Sequence, residues 1–302
     1  MSVQFIDIET EYEKNKQVQR KQVRKFMDWI NQQPHLPKIT GKEKYVILLI
    51  LPRYVEFQAL TFLHSCYYDE DAAKKTADVF FTVKTSNPNV FRMRDPHKLP
   101  TTEGLDVTVM SMLPKKTPKG YTILYIKLID PDPRHLNMAT QVKIFDMTCM
   151  LHLHQTGITE GYVAMLDMQE VALRHLFRLS PSALKALLYY ISEGIPGRIM
   201  EFHFVNTIPF IINKVLTLIK PLLSKKIYDI IHVHSTVEDS AEFIPIDCLP
   251  EDYGGSAEAI SVIHEKSKQK LLQNEAFFEW EDTQVVDESL RPKKKSYWFS
   301  WG

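Results

Sequence analysis

Two histidine pairs and one serine–lysine spacing are the residues of this 302-residue chain that could do chemistry. His232 and His234 fall two apart in a β-rich run. On a strand both imidazoles would share a face and could chelate a metal. No third ligand stands near them in the sequence, which weighs against a metal site. His152 and His154 lie in a helical stretch, where a two-residue step turns about 200° and separates them. Ser182-Ala183-Leu184-Lys185 has the S-x-x-K spacing of acyl-transfer enzymes, but the companion S-D-N and K-T-G motifs are missing. Pro181 before it makes Ser182 a first-turn helix residue. Cys66, Cys149 and Cys248 are odd in number, far apart and outside any C-x-x-C, which fits reduced thiols. With only 10 glycines and no G-x-S-x-G, Walker A, G-x-G-x-x-G or H-E-x-x-H, a phosphate-cradling loop or hydrolase site has no foothold. The expectation is a protein that is not an enzyme and uses no metal or cofactor.

Charge and composition narrow the partners. Lys+Arg and Asp+Glu both number 37, so no overall field draws the chain to nucleic acid or an anionic surface, and recognition by charge needs a local patch. At 44% hydrophobic and 25% charged residues the make-up is that of an ordinary globular protein. Residues 1–9 lack a basic segment followed by an apolar one, so no secretory signal is expected. The most apolar run, Tyr45–Leu51, falls far short of the ~20 residues that span a bilayer. A soluble, cytoplasmic protein is expected.

The elements that must position these residues come in two styles. Val23, Phe26, Met27 and Ile30 recur at helical spacing, so 11–33 reads as an amphipathic helix stopped by Pro34 and Pro37. Helical patterns follow at 45–51 and 54–63, and Asp69 caps a helix whose inner stripe is Ala73, Ala77, Phe80 and Phe81. Residues 92–120, rich in Pro, Lys, Thr and Gly, read as a connector. From Tyr121 strands alternate with helices: strands at 121–129, 162–167, 199–205 and 230–234, helices at 139–154, from Ser180-Pro181 onward, and at 208–219. That alternation predicts an α/β sheet of mostly parallel order, and a helical tail is expected over 257–280.

Several stretches then line up in order. They are Pro34-His35-Leu36-Pro37, Phe62-Leu63-His64-Ser65-Cys66-Tyr67-Tyr68, and the run Ile219-Lys220-Pro221-Leu222-Leu223-Ser224-Lys225-Lys226-Ile227 followed by Ile231-His232-Val233-His234. Leu249-Pro250-Glu251-Asp252-Tyr253-Gly254-Gly255 and Asp287-Glu288-Ser289-Leu290-Arg291-Pro292 complete the series. Over roughly residues 20–292 the chain resembles the CRAL-TRIO family of lipid-binding and transfer proteins, in particular its insect branch similar to α-tocopherol transfer protein and cellular retinaldehyde-binding protein. The resemblance implies a mostly parallel mixed sheet as the floor of an apolar cavity, a mobile gate helix, and a small all-helical lobe before them. It divides the chain into a helical lobe (1–91), a connecting segment (92–120), a lipid-binding domain (121–255) and a C-terminal helix and tail (256–302). Independently, 208–219 is apolar almost all round, as expected of a helix that buries both faces or covers something greasy.

Carried over residue by residue, the family's pocket falls on Tyr125, Phe145, Thr148, Cys149, His152, Tyr162, Leu166, Leu173, Leu179, Leu187, Tyr190, Ile191, Ile195, Ile199 and Phe202. The gate supplies Phe210, Ile211, Val215 and Leu218. Apolar walls with a few hydroxyls and one imidazole suit a long hydrophobe with one polar head, for which Thr148, Tyr125, Tyr162, Tyr190 and His152 are the candidate holders. Arg198, Lys220 and Lys226 sit near positions where relatives grip phosphorylated headgroups. Met200, Ile230 and Cys66 stand where other such cations are found, so the clamp is thinned. The implied function is a carrier that moves one tocopherol-, retinoid-, carotenoid- or other lipid-like molecule between membranes, touching the membrane during exchange. The alternative is a lipid-occupied regulator reporting to a protein partner. Three lysines followed by Tyr297, Trp298, Phe299 and Trp301 mark the tail either as a further membrane-surface contact or as a clasp docked on the protein's own helical lobe.

Overall fold

Short polar side chains start the long helices where the sequence places them. Asp69 accepts from the Asp71 and Ala72 amides (2.9 and 3.0 Å), Asn137 from Thr140 (3.2 Å) and Ser180 from Ala183 (3.3 Å), each satisfying amides that a first turn leaves open. The computed structural model describes residues 6–38 and 51–292. Most of the 45–51 pattern and the Lys293–Trp301 tail lie outside them.

The N-terminal helices are α1 (Ile8–Lys14), α2 (Arg20–Gln32), α3 (Leu51–Ser65) and α4 (Glu70–Ser86). The amphipathic stretch from residue 11 is therefore two helices, parted around Asn15, whose amide and side chain both return to the Glu11 carbonyl at 2.9 Å. Val23, Phe26 and Ile30 of α2 are buried, as are Ala73, Ala77, Phe80 and Phe81 of α4. Phe62 of α3 meets Phe80 edge-on at 5.3 Å between ring centres.

Five strands form one sheet in the order β1 (Thr108–Lys116), β2 (Thr122–Leu128), β3 (Tyr162–Asp167), β4 (Ile199–Val205) and β5 (Ile231–Val233). β1 runs antiparallel to β2 and the other neighbours are parallel, giving a mixed sheet of mostly parallel order. The stretch 92–120 is thus not wholly a connector. Pro114 and the lysines around it hide an edge strand, the place where a proline and exposed charges are tolerated.

Helices α5 (Met138–Thr156), α6 (Pro181–Tyr189) and α7 (Pro209–Ile219) follow β2, β3 and β4 in turn. A π-turn, Tyr190–Gly194, prolongs α6 and packs against α4. A side chain at Gly194 would stand 3.1 Å from Val79 and 3.3 Å from the Phe80 amide, so glycine permits the lobe to close on the domain. The tail helix is likewise two, α8 (Ile260–Leu272) and α9 (Glu275–Thr283). Beneath α4, α5 and α9 lies a buried ionic cluster. Arg94 contacts Asp146 (3.0 Å), Glu281 (2.6 Å) and Asp282 (3.0 Å), and Lys84 adds a second cation 2.8 Å from Asp146.

Candidate functional site

Strand alternation decides which residues can meet. Leu124 of β2, Tyr162, Ala164 and Leu166 of β3, and Phe202 and Phe204 of β4 share one face of the sheet. Ala164 is paired with Phe202, and Leu166 with Phe204. At the Tyr162 end of this face a cavity of about 30 Å³ lies between the sheet, α5 and the segment after α6. Phe145, Cys149, Tyr162, Ile191, Ile195, Ile199 and Phe202 line it, all named by the sequence reading. Leu124, Met150, Leu153, Ala164, Pro196 and Gly197 complete it. Only the strand register, which a sequence does not print, brings Leu124 and Ala164 here. The Tyr162 hydroxyl is buried with no hydrogen-bond partner, a polar atom in an otherwise apolar chamber.

The other end of the same face lies beneath α7. Phe204, Leu184, Leu188, Met168, Ile212 and Ile219 form a buried cluster, with Leu166, Val215, Leu216 and Ile231 half-buried around it. The cavity and the α7 cluster therefore lie at two ends of one apolar sheet face. Ile211 is buried, whereas Ile208 (55% exposed), Phe210 (57%) and Leu218 (39%) face out beside Lys214, Lys220, Lys225 and Lys226. Among the described residues no helix is long and apolar enough to cross a membrane.

Other predicted positions are placed elsewhere, for definite reasons. Tyr125 falls on the opposite face by alternation, and its hydroxyl meets that of Tyr253 at 2.8 Å, with Tyr253 in turn bonded to Asp167. Tyr190 donates to Asp146 at 2.7 Å, joining the ionic cluster. Thr148 and His152, each one residue and about 100° round α5 from the cavity residues Cys149 and Leu153, line an outer groove instead. Leu173 is 37% exposed, Leu179 half-buried, and Leu187 packs half-buried against the main core. Arg198 is committed to the helical lobe: it donates to the His64 carbonyl (3.0 and 2.7 Å) and covers the Tyr67 ring at 4.0 Å. Lys220 lies over Tyr228, and Lys226 is exposed.

A third imidazole does stand beside His232 and His234, correcting the sequence reading. β4–β5 register sets His203 opposite His232, with rings stacked at 4.8 Å, and its Nδ1 shares a proton with His234 Nε2 at 2.9 Å. The 2.9 Å contact joins two of these nitrogens to each other, and no group of three or more potential ligands among the described residues could hold a metal. Burial holds the His203 imidazole down to about 4, against the hydrogen bond it makes to the Glu201 carboxylate and with help from the neighbouring histidines. Unfolded histidine titrates near 6.5, so stability is complete above that pH and falls as pH drops towards about 4, by ~1.4 kcal/mol per unit within this window. Melting temperature should therefore decline between pH 7 and 4.5, with a shallower slope in His203→Gln. Equal slopes would remove His203 from the acid response.

A mixed, mostly parallel sheet carrying helices, with a helical lobe on its N-terminal side, defines a two-part α/β architecture. Residues 107–255 match the CRAL/TRIO domain family, and this part of the chain is a CRAL/TRIO domain. Similar curated proteins include the mouse "Alpha-tocopherol transfer protein-like" (27% identical over 204 residues, 66% of this chain and 57% of that protein) and its human counterpart (26%, covering 66% and 58%). Clavesin-1 of Xenopus laevis is 31% identical over 97 residues, 32% of this chain and 29% of that protein. The match thus spans little more than half the length of the first two relatives. The solved structure of Sfh5 shares the fold, with TM-score 0.52, 12% identity, and coverage of 81% of this chain and 89% of that one.

Proposed function

We propose that the protein binds one hydrophobic molecule with a single polar head along the seam between the Tyr162 cavity and α7, and carries it between membranes. The observation that bears this reading is an apolar chamber holding one buried, partnerless hydroxyl. An unpaired buried hydroxyl costs free energy that a ligand's polar atom would recover, while the walls suit its apolar body. The relatives named for α-tocopherol transfer point the same way.

At about 30 Å³ the chamber holds a water-sized molecule, whereas ligand pockets run to ~300–1,000 Å³. Loading therefore requires a wall to move. Helix α7 is the candidate wall, since one side of it covers the far end of the seam and the other exposes Phe210 and Leu218 among lysines. Such a surface inserts apolar groups while cations meet anionic headgroups. Mass spectrometry of an organic extract of the purified protein should reveal one dominant hydrophobic species in near-stoichiometric amount, and an extract without one counts against the reading. Phe210→Asp should slow ligand transfer between anionic vesicles roughly 10-fold or more, the worth of one buried phenyl, and leave equilibrium binding little changed. Equal losses in both quantities would make Phe210 a pocket wall and not a membrane contact.

A further inference from the structure

An opening larger than the Tyr162 chamber also involves α5. A groove of about 240 Å³ lies at the junction of β1, α5 and α8, on the far side of His152 from Tyr162. One wall is apolar, made by Met112, Pro114, Leu151, Ile263 and Leu271. The polar groups are unbalanced. Glu258 at the rim is held by Lys266 at 2.6 Å, whereas the ammonium of half-buried Lys270 meets no carboxylate or hydrogen-bond acceptor among the described residues. Lys116 adds positive charge, which together with Lys270 and, before either, burial keeps the His152 imidazole down at about 4. Thr148, 8% exposed, lines the same groove, and its buried hydroxyl has no hydrogen-bond partner among the described residues.

An ammonium drawn out of water without a counter-charge is costly, and so is a buried hydroxyl without a bond. Burial indeed pulls the Lys270 ammonium downward. One occupant relieves both: an anionic oxygen that pairs with Lys270 and accepts from Thr148, attached to an apolar chain that covers Leu151 and Ile263. We propose that this groove is a second binding site, for a fatty-acid-like carboxylate. It is separate from the seam beneath α7.

Calorimetric titration of the full-length protein with dodecanoate and with dodecanol tests this. Dodecanoate should bind and dodecanol bind much more weakly, and Lys270→Met should cost dodecanoate roughly 30-fold while leaving dodecanol unchanged. Methionine keeps the stem of this half-exposed residue, and an unchanged near-UV circular dichroism spectrum certifies the fold. Thr148→Val gives a second, smaller loss. Repeating the titration in Ile191→Asp separates the sites, because the groove should keep its Lys270-dependent affinity when the seam is spoiled. Equal affinity for acid and alcohol, or full dodecanoate affinity in Lys270→Met, overturns the proposal.

Discussion

Arg94→Met should lower stability by about 3–5 kcal/mol, the cost of leaving buried charges without their partner. Arg94 is 1% exposed and contacts Asp146, Glu281 and Asp282; without it Lys84 is the one cation among the described residues that still contacts the two enclosed carboxylates. For a domain of this size the loss corresponds to a fall in melting temperature on the order of 10 °C. The cluster ties α4, the segment before β1, α5 and α9 together, so the drop should come with earlier proteolysis of the helical lobe. Adding Glu281→Leu to Arg94→Met removes one stranded carboxylate and should restore part of the melting temperature. A single substitution that melts within 2 °C of the parent, or a double one that melts lower still, would show that the cluster is not what holds the lobe.

The same cluster explains where sequence reading stops. Arg94 lies 52 residues from Asp146 and 187 from Glu281, and no periodicity links them. The family resemblance makes Tyr190 a candidate headgroup holder, yet the π-turn aims its hydroxyl at Asp146. Local signals fared better. Ser180-Pro181 and Asp69 state a helix start in their own chemistry, and the strands at 162–167 and 199–205 are legible from short β-rich runs bounded by turn residues. Facing is harder, since a strand residue's side depends on its register with neighbours. Tyr125 and Leu124 are adjacent, but one meets Tyr253 and the other lines the cavity. On α5 the resemblance supplied Phe145 and Cys149, one turn apart, but not Met150 and Leu153, which complete the wall. Thr148 was assigned to the same wall, and one residue's rotation carries it to the outer groove.

Ile191→Asp should abolish ligand retention while the protein still folds. Ile191 is 8% exposed, lies on the π-turn and faces the chamber shared by Tyr162 and Phe202. The substitution removes a contact worth about 1.5–3 kcal/mol to an apolar ligand. It also places a carboxyl where ionisation is opposed by burial, so ligand entry must desolvate a polar group that has no partner. Together these should weaken binding by at least ~100-fold, enough to leave the organic extract empty. Ile191→Leu, which conserves volume, should retain the ligand and separates polarity from shape. The Asp variant also distinguishes a seam that binds from a core that merely packs. A binding seam loses its ligand with a modest change in melting temperature, whereas a plain core loses stability alone. A folded Ile191→Asp protein that yields the same extracted molecule in the same amount would move the pocket away from the Tyr162 chamber, and with it the argument that α7 gates the far end of one continuous seam.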